Sequence, residues 1–260
     1  MERLSLEQIH GILLDIMLDI DKFCKESGIV YSLAYGTLLG AVRYGDFIPW
    51  DDDADLIMPR ADFERFVATY PKDGRYHCIR NTVSDKEFYI SGFAKVHDPH
   101  TDKFAGSRKY RSHYGVSVDI FPLDPLPEDP QSRHAHIASA IHYGRRLRCL
   151  GKRFLHGSPL MMLESRLLGR HYLLKKCEQL TRSINPQDTN LVGVLMGATG
   201  YQNVHPKDFL DEPGSILFAG HEFLCPKDTD AYLSQIYGKD YIIPPPENQR
   251  QGHGDPVYRI

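Results

Sequence analysis

Four carboxylates within five positions, Asp51, Asp52, Asp53 and Asp55, run directly into the apolar segment Leu56-Ile57-Met58. No other feature restricts the fold of this chain as much. Carboxylates this close repel one another unless protons or a cation neutralise them. A sequence that needed only solubility would not set them on the lip of a strand heading into the core. Upstream lies Tyr35-Gly36-Thr37-Leu38-Leu39-Gly40-Ala41-Val42-Arg43, where Gly36-Thr37 reads as a turn opening a short helix over Leu38 to Tyr44. Glycine lets the backbone approach an anion closely, and the amides at a helix start favour negative charge. The two segments together imply a divalent-metal site facing a phosphate site, which is what phosphoryl transfer requires.

Alternate residues of a strand share a face, so Asp53 and Asp55 are expected to aim at one point, with Asp51 continuing the register if the strand extends back. Paired carboxylates suit Mg2+, with Mn2+ as the alternative, because a hard ion takes oxygen ligands and completes its shell with substrate phosphate. The spaced loop and glycine of an EF-hand are missing from this segment. A third carboxylate is expected from Asp119, set in the apolar run Val116-Ser117-Val118-Asp119-Ile120-Phe121, where an uncompensated charge would be costly. It would hold metal and help deprotonate an acceptor. Asp124, between Pro122 and Pro125, reads as a turn residue. Arg43, Lys95, Arg250 and His253 are candidate phosphate contacts, each weighed against ordinary surface charge. His134, His136 and His142 lack metal-ligand spacing and read as exposed.

The remaining pattern predicts an α+β protein, with strands concentrated before residue 122 and helices after it. Ser5 and Gln8 form a capping-box signature ahead of a helix that Gly28 ends. Strands are expected at Tyr31–Tyr35, Ala54–Met58, Tyr76–Arg80, Tyr89–Val96 and Gly115–Phe121, and a helix at Asp62–Tyr70. Pro122, Pro125, Pro127 and Pro130 read as a rigid connector into helices over Gln131–Leu155 and Leu160–Ile184. A hairpin about Ala219-Gly220 and a helix over Asp228–Tyr237 follow. The expected division is a catalytic core over 1–130, a basic helical region over 131–200 and a mixed segment over 201–260 that completes the site.

Net charge is −3, yet between Gln131 and Leu180 ten basic residues face only Glu164 and Glu178. Such a stretch suits an anionic membrane surface or a nucleic acid, or is simply a solvated face. The longest apolar run near the start is broken by Asp15, Asp19 and Asp21, and the first residues lack a secretion-signal layout. A cytoplasmic location is therefore expected, with the inner face of the membrane as a possible station. Five scattered cysteines without a CxxC pair read as reduced thiols.

At the quoted blocks, and at Ile48-Pro49-Trp50-Asp51-Asp52-Asp53-Ala54-Asp55, Val118-Asp119-Ile120-Phe121-Pro122-Leu123-Asp124 and Tyr237-Gly238-Lys239-Asp240-Tyr241-Ile242-Ile243-Pro244-Pro245-Pro246, the chain resembles the LicD family of phosphorylcholine transferases and, in pattern, fukutin and fukutin-related protein. The resemblance implies a nucleotidyltransferase-like core, a mixed sheet flanked by helices with a helical insertion. It implies that Gly36 and Thr37 hold the donor's phosphates, that Asp53 and Asp55 bind metal with Asp51 beside them, and that Asp119 is the third acid. It also implies transfer of phosphocholine or a similar phospho-alcohol from a CDP-linked donor, CDP-choline being favoured, to a sugar hydroxyl of a teichoic acid or lipopolysaccharide precursor. A choline cargo would want an aromatic box, for which Trp50, Tyr44, Phe47 and Tyr31 are near in sequence. Two other readings use the same residues: nucleotidyl transfer from an NTP, and a non-catalytic RNA-binding protein of the same fold. The intact acid set argues against the second, so no nucleic-acid partner is expected.

Overall fold

The first helix begins where its cap is written. In the computed structural model, which describes residues 2–80, 92–104, 111–112, 115–151, 158–197, 200–252 and 256–260, Gln8 N–H donates to Ser5 Oγ and Ser5 N–H to Gln8 Oε1 at 2.8 Å. Gly28 closes the helix in the left-handed region at φ 61°.

In chain order the elements are β1 (Glu2–Arg3), α1 (Leu6–Ser27), β2 (Ser32–Leu33), α2 (Tyr35–Tyr44), β3 (Ala54–Pro59), α3 (Arg60–Thr69) and β4 (His77–Arg80). Then follow β5 (Ala94–His97), β6 (Thr101–Phe104), β7 (Arg111–Ser112), β8 (Ser117–Pro125), α4 (Pro130–Gly151), α5 (Pro159–Leu168) and α6 (Arg170–Thr181). The last are β9 (Leu191–Gly193), β10 (His205–Pro206), β11 (Gly214–Phe218), β12 (His221–Cys225), α7 (Thr229–Tyr237) and β13 (Val257–Arg259).

The chain forms two compact units, residues 1–79, 95–120 and 210–260 in one and residues 80–94 and 121–209 in the other. In the first, β3 runs antiparallel to β2 with Leu33 opposite Leu56, has β8 on its other side, and β5 joins β8 to β4. Within this unit α1 buries Leu13, Ile16 and Ile20, β3 buries Leu56, Ile57 and Met58, α3 buries Phe63 and Phe66, and the β11–β12 hairpin buries Phe218 and Phe223. The hairpin β11–β12 turns at Ala219 (φ 48°) and Gly220 (φ 80°), and Ala219 N–H donates to Gly45 O beyond α2. A second small sheet has the order β1-β13-β6-β7.

In the second unit α4, α5 and α6 lie against a core of Leu126, Ile137, Leu147, Leu173, Cys177, Leu195 and Met196. Strand β9 pairs with β10 and, through Gly193 opposite Asp124, with the end of β8. The architecture is mixed α and β, compatible with the α+β expectation. No helix among the described residues is long and apolar enough to cross a membrane. No cysteine forms a disulfide among those described, and Cys24, Cys177 and Cys225 are buried.

Several local expectations need correction. Gly36-Thr37 is not a turn before the helix but lies within the first turn of α2, which starts at Tyr35. Asp53 is not in the strand: β3 starts at Ala54. The prolines at 122 and 125 are not a connector, because β8 continues through both, and proline is tolerated in a strand where no neighbour needs its amide. Asp124 is therefore a fully buried strand residue rather than a turn. The second long helix is two, broken at Gly169, whose φ of 75° favours glycine. Of the three histidines, His134 and His142 are exposed but His136 is half-buried. The expected strand over Tyr89–Val96 lies partly outside the described residues, its visible part being β5.

Candidate active site

All the central acids belong to the first unit. Helix α2 and strand β3 are strapped together by two hydrogen bonds: Ala34 N–H donates to Asp55 O at 3.1 Å, and Asp55 N–H donates to Thr37 Oγ1 at 2.8 Å. Both bonds lie at the step from β2 into α2. There Tyr35 takes φ 45°, a backbone state rare for a residue with a bulky side chain. Such strain persists only where the surroundings enforce it, and it collects at functional sites. Gly36 follows, and a Cβ there would come within 3.0 Å of Asp51 Oδ2. The glycine thus admits a carboxylate to the first turn of a helix, where the backbone partial charge is positive.

The acidic loop is held from several sides. Gly40 packs so closely that a Cβ would meet Asp46 O at 2.6 Å and Ile48 N at 3.0 Å. Asp51 N–H donates to Ile48 O, and His10 Nε2 donates to Asp51 O at 2.7 Å, its ring stacked on Phe47. Lys103 Nζ lies 3.8 Å from Asp52 Oδ2. The chain near Gly252 presses on the same loop, since a Cβ there would stand 2.4 Å from Trp50 O.

Asp55 carries the electrostatic load. Its carboxyl is pushed well above the ordinary range, first by burial, then by Asp53 and Asp119, with Lys95 opposing and Asp51 adding. Asp119 on β8 is also raised by burial, while the Lys95 ammonium, with which it is ion-paired, pulls it back. The structure therefore brings Asp51, Asp53, Asp55, Asp119 and Lys95 into one electrostatic neighbourhood, with Gly36 and Thr37 on its edge.

Among the described residues, no three His, Cys, Asp or Glu side chains are gathered tightly enough to hold a metal ion by themselves. The donor set nevertheless fits a hard cation. Mg2+ is usually bound by one or two carboxylates plus substrate phosphate and water, not by a protein cage. A carboxyl raised first by burial and then by acidic neighbours is one whose negative charge such an ion would relieve.

Two other candidates are placed differently. Arg43 donates through Nη2 to the backbone oxygens of Tyr241 and Ile243, the latter at 2.9 Å, so it clamps the C-terminal segment. Arg250 donates to Pro245 O at 2.9 Å, and its guanidinium lies 5.0 Å from the centre of the Trp50 ring. His253 lies outside the described residues. Two members of the aromatic box are committed elsewhere: Tyr31 is buried and donates to Asp21, and Phe47 is buried between His10 and Phe218. Only Tyr44 and Trp50 face each other, 6.2 Å apart.

Sequence reasoning missed the tyrosines of α7. Tyr232 is buried 6.4 Å from the ring of Tyr35, and its hydroxyl oxygen accepts from the Tyr35 backbone amide. Tyr237 is 45% exposed as a residue, yet its hydroxyl is raised by burial and then by Asp55, Asp51 and Asp53. The signal for Tyr237 was its position at the head of the block Tyr237-Gly238-Lys239-Asp240.

Residues 28–147, which hold Asp51, Asp53, Asp55 and Asp119, match the family described as LicD/FKTN/FKRP, nucleotidyltransferase domain. The lipopolysaccharide cholinephosphotransferase LicD of Haemophilus influenzae is 27% identical over 99% of both chains. An uncharacterized protein of Rickettsia prowazekii is 28% identical over 43% of this chain and 44% of its own length. The domain match and the end-to-end likeness agree that residues 28–147 are a domain of the LicD/FKTN/FKRP type.

Proposed function

We propose that this protein transfers phosphocholine, or a similar phospho-alcohol, from a CDP-linked donor to a sugar hydroxyl of a surface-glycan precursor of the lipopolysaccharide or teichoic-acid type. The observation that carries the reading is the cluster of Asp51, Asp53, Asp55 and Asp119 beside the first turn of α2, inside a domain whose full-length relative is named for cholinephosphate transfer. The core is read as nucleotidyltransferase-like on the same grounds.

Asp53 and Asp55 would hold a divalent cation, Mg2+ or Mn2+, with Asp51 and Asp119 beside them. Such an ion, when bound, neutralises charge that develops on a pyrophosphate. Gly36 keeps the helix start free of a side chain beside the Asp51 carboxylate, and donor phosphate is favoured there once the carboxylate charge is balanced. Thr37 fixes the Asp55 backbone. Asp119, its proton affinity raised by burial and checked by Lys95, accepts the proton of the acceptor hydroxyl. The hydroxyl oxygen forms a bond to the phosphorus that bears the alcohol, the bond from that phosphorus to the bridging oxygen breaks, and CMP leaves with that oxygen.

Incubation with CDP-choline, Mg2+ and a glycan precursor is expected to release CMP and leave phosphocholine on the glycan. A nucleotide found on the acceptor would instead identify nucleotidyl transfer. No CMP with any CDP-alcohol would overturn the proposal.

A further inference from the structure

The outward face of α5 contradicts the rule that a surface helix turns its polar side to water. Its inward side carries the buried Met162 and Ser165. Opposite them, Leu160, Leu163 and Leu167 fall at spacings of three and four and are 65%, 55% and 78% exposed. Leu168 at the helix end and Tyr172 on α6 extend the exposed apolar surface. All of these lie in the second unit, away in sequence from the acids of the site.

The surrounding charge selects the occupant. From Ser158 to Arg182 the chain places Arg166, Arg170, Lys175, Lys176 and Arg182 against Glu164 and Glu178. Both acids are already matched, Glu164 by Arg146 at 2.5 Å and Glu178 by Arg182 at 2.9 Å. Lys176 lies over the Tyr172 ring at 5.6 Å, an aliphatic stem along an apolar surface with its charge at the tip. An apolar stripe flanked by cations matches the layered chemistry of a bilayer surface, hydrocarbon below and anionic headgroups above. A second copy of the chain would bring the same cations against one another.

We infer that α5 and the start of α6 form a docking surface for an anionic membrane, with Leu160, Leu163 and Leu167 entering the headgroup–acyl boundary. Docking depends on this face alone and not on the transfer reaction, so it stands or falls separately from the proposed activity.

Full-length protein is co-sedimented with vesicles of phosphatidylglycerol and phosphatidylcholine in comparable amounts, and with vesicles of phosphatidylcholine alone. Binding is expected to the anionic vesicles and to weaken with added salt, as a polybasic contribution must. Leu163→Glu with Leu167→Glu should weaken partitioning by roughly tenfold or more, given the cost of withdrawing even part of a leucine from hydrocarbon. Both side chains point to solvent, so the thermal midpoint should not move. Lys175→Glu with Lys176→Glu is the second variant, expected to lose anionic binding and its salt dependence without touching the leucines. Equal binding by wild type and the leucine variant overturns the inference. So does an absence of binding to anionic vesicles, including the case where light scattering shows a dimer that the leucine variant separates.

Discussion

Asp55 concentrates the conflict of the site in one side chain. Its carboxyl is buried among Asp53, Asp119 and Asp51, and in the folded protein it holds its proton to higher pH than in the unfolded chain. The sign follows directly. A carboxyl raised on folding favours the folded state while protonated, and that contribution falls as pH rises from the ordinary carboxylate range through the raised value. In chelator-treated protein Asp55 therefore becomes a growing burden as pH rises above the ordinary carboxylate range. Asp55→Asn keeps the shape and removes the charge, so its thermal midpoint should equal or exceed that of the wild type, and the difference should shrink toward acid pH. Activity moves the opposite way. On the proposed role of Asp55, losing its carboxylate would remove several kcal/mol of transition-state stabilisation, so turnover should fall by about a hundredfold or more. Calorimetry beside an assay of CMP release tests both arms, and a clear loss of stability at neutral pH would contradict the electrostatic account. Lys95 is the complement. Lys95→Met leaves the half-buried Asp119 without its ion-pair partner, and a loss of about 1–3 kcal/mol in a denaturant titration is expected.

At the scale of elements, the strap between α2 and β3 decides where the acids stand. Thr37 is buried and its Oγ1 accepts from the Asp55 amide. Thr37→Ser keeps the acceptor, whereas Thr37→Val leaves a buried amide unsatisfied at a cost of about 1–3 kcal/mol. The valine variant should lower both stability and turnover, the serine variant neither by much; equal behaviour of the two in urea unfolding and in assay would remove the strap from the explanation. The strap also shows why some elements were legible and others not. Helix α1, the β11–β12 hairpin and α7 are written locally, by Ser5 with Gln8, by Ala219-Gly220 and by Asp228, whose side chain accepts from Ala231 N–H. Helix α2 has no side-chain cap at Ala34 and is started by Ala34 N–H reaching Asp55, a partner remote in sequence that no local pattern announces. The proline-containing end of β8 is likewise fixed by β9, far along the chain.

For the whole molecule, the acids were legible as a cluster because four of them fall within five positions, and Asp119 because a charge in an apolar strand demands a reason. Lys95, Tyr232 and Tyr237 gather only through the pairing of β5 with β8 and the position of α7, which composition and periodicity do not encode. The same distinction governs acid stability, where tertiary burial and not sequence sets the titration. His97 in the first unit is held down at about 4, by burial and then by His77. His205 in the second is held at about 4 by burial alone. Each binds its proton more readily unfolded than folded. The stability each contributes is therefore complete above the ordinary histidine value of 6.5 and drains away as pH falls toward 4. A shift of that size corresponds to roughly 3 kcal/mol at most for each histidine. The ring of His205 stacks on Phe209 with centroids 4.6 Å apart, so phenylalanine is a close replacement in shape. His205→Phe should flatten the decline of unfolding free energy between those two pH values, leaving the part that His97 and the carboxylates supply. Urea unfolding across a pH series separates the causes: a constant offset between the proteins reports packing or a lost hydrogen bond, a change of slope reports the proton. Parallel curves would show that His205 takes up no extra proton on unfolding.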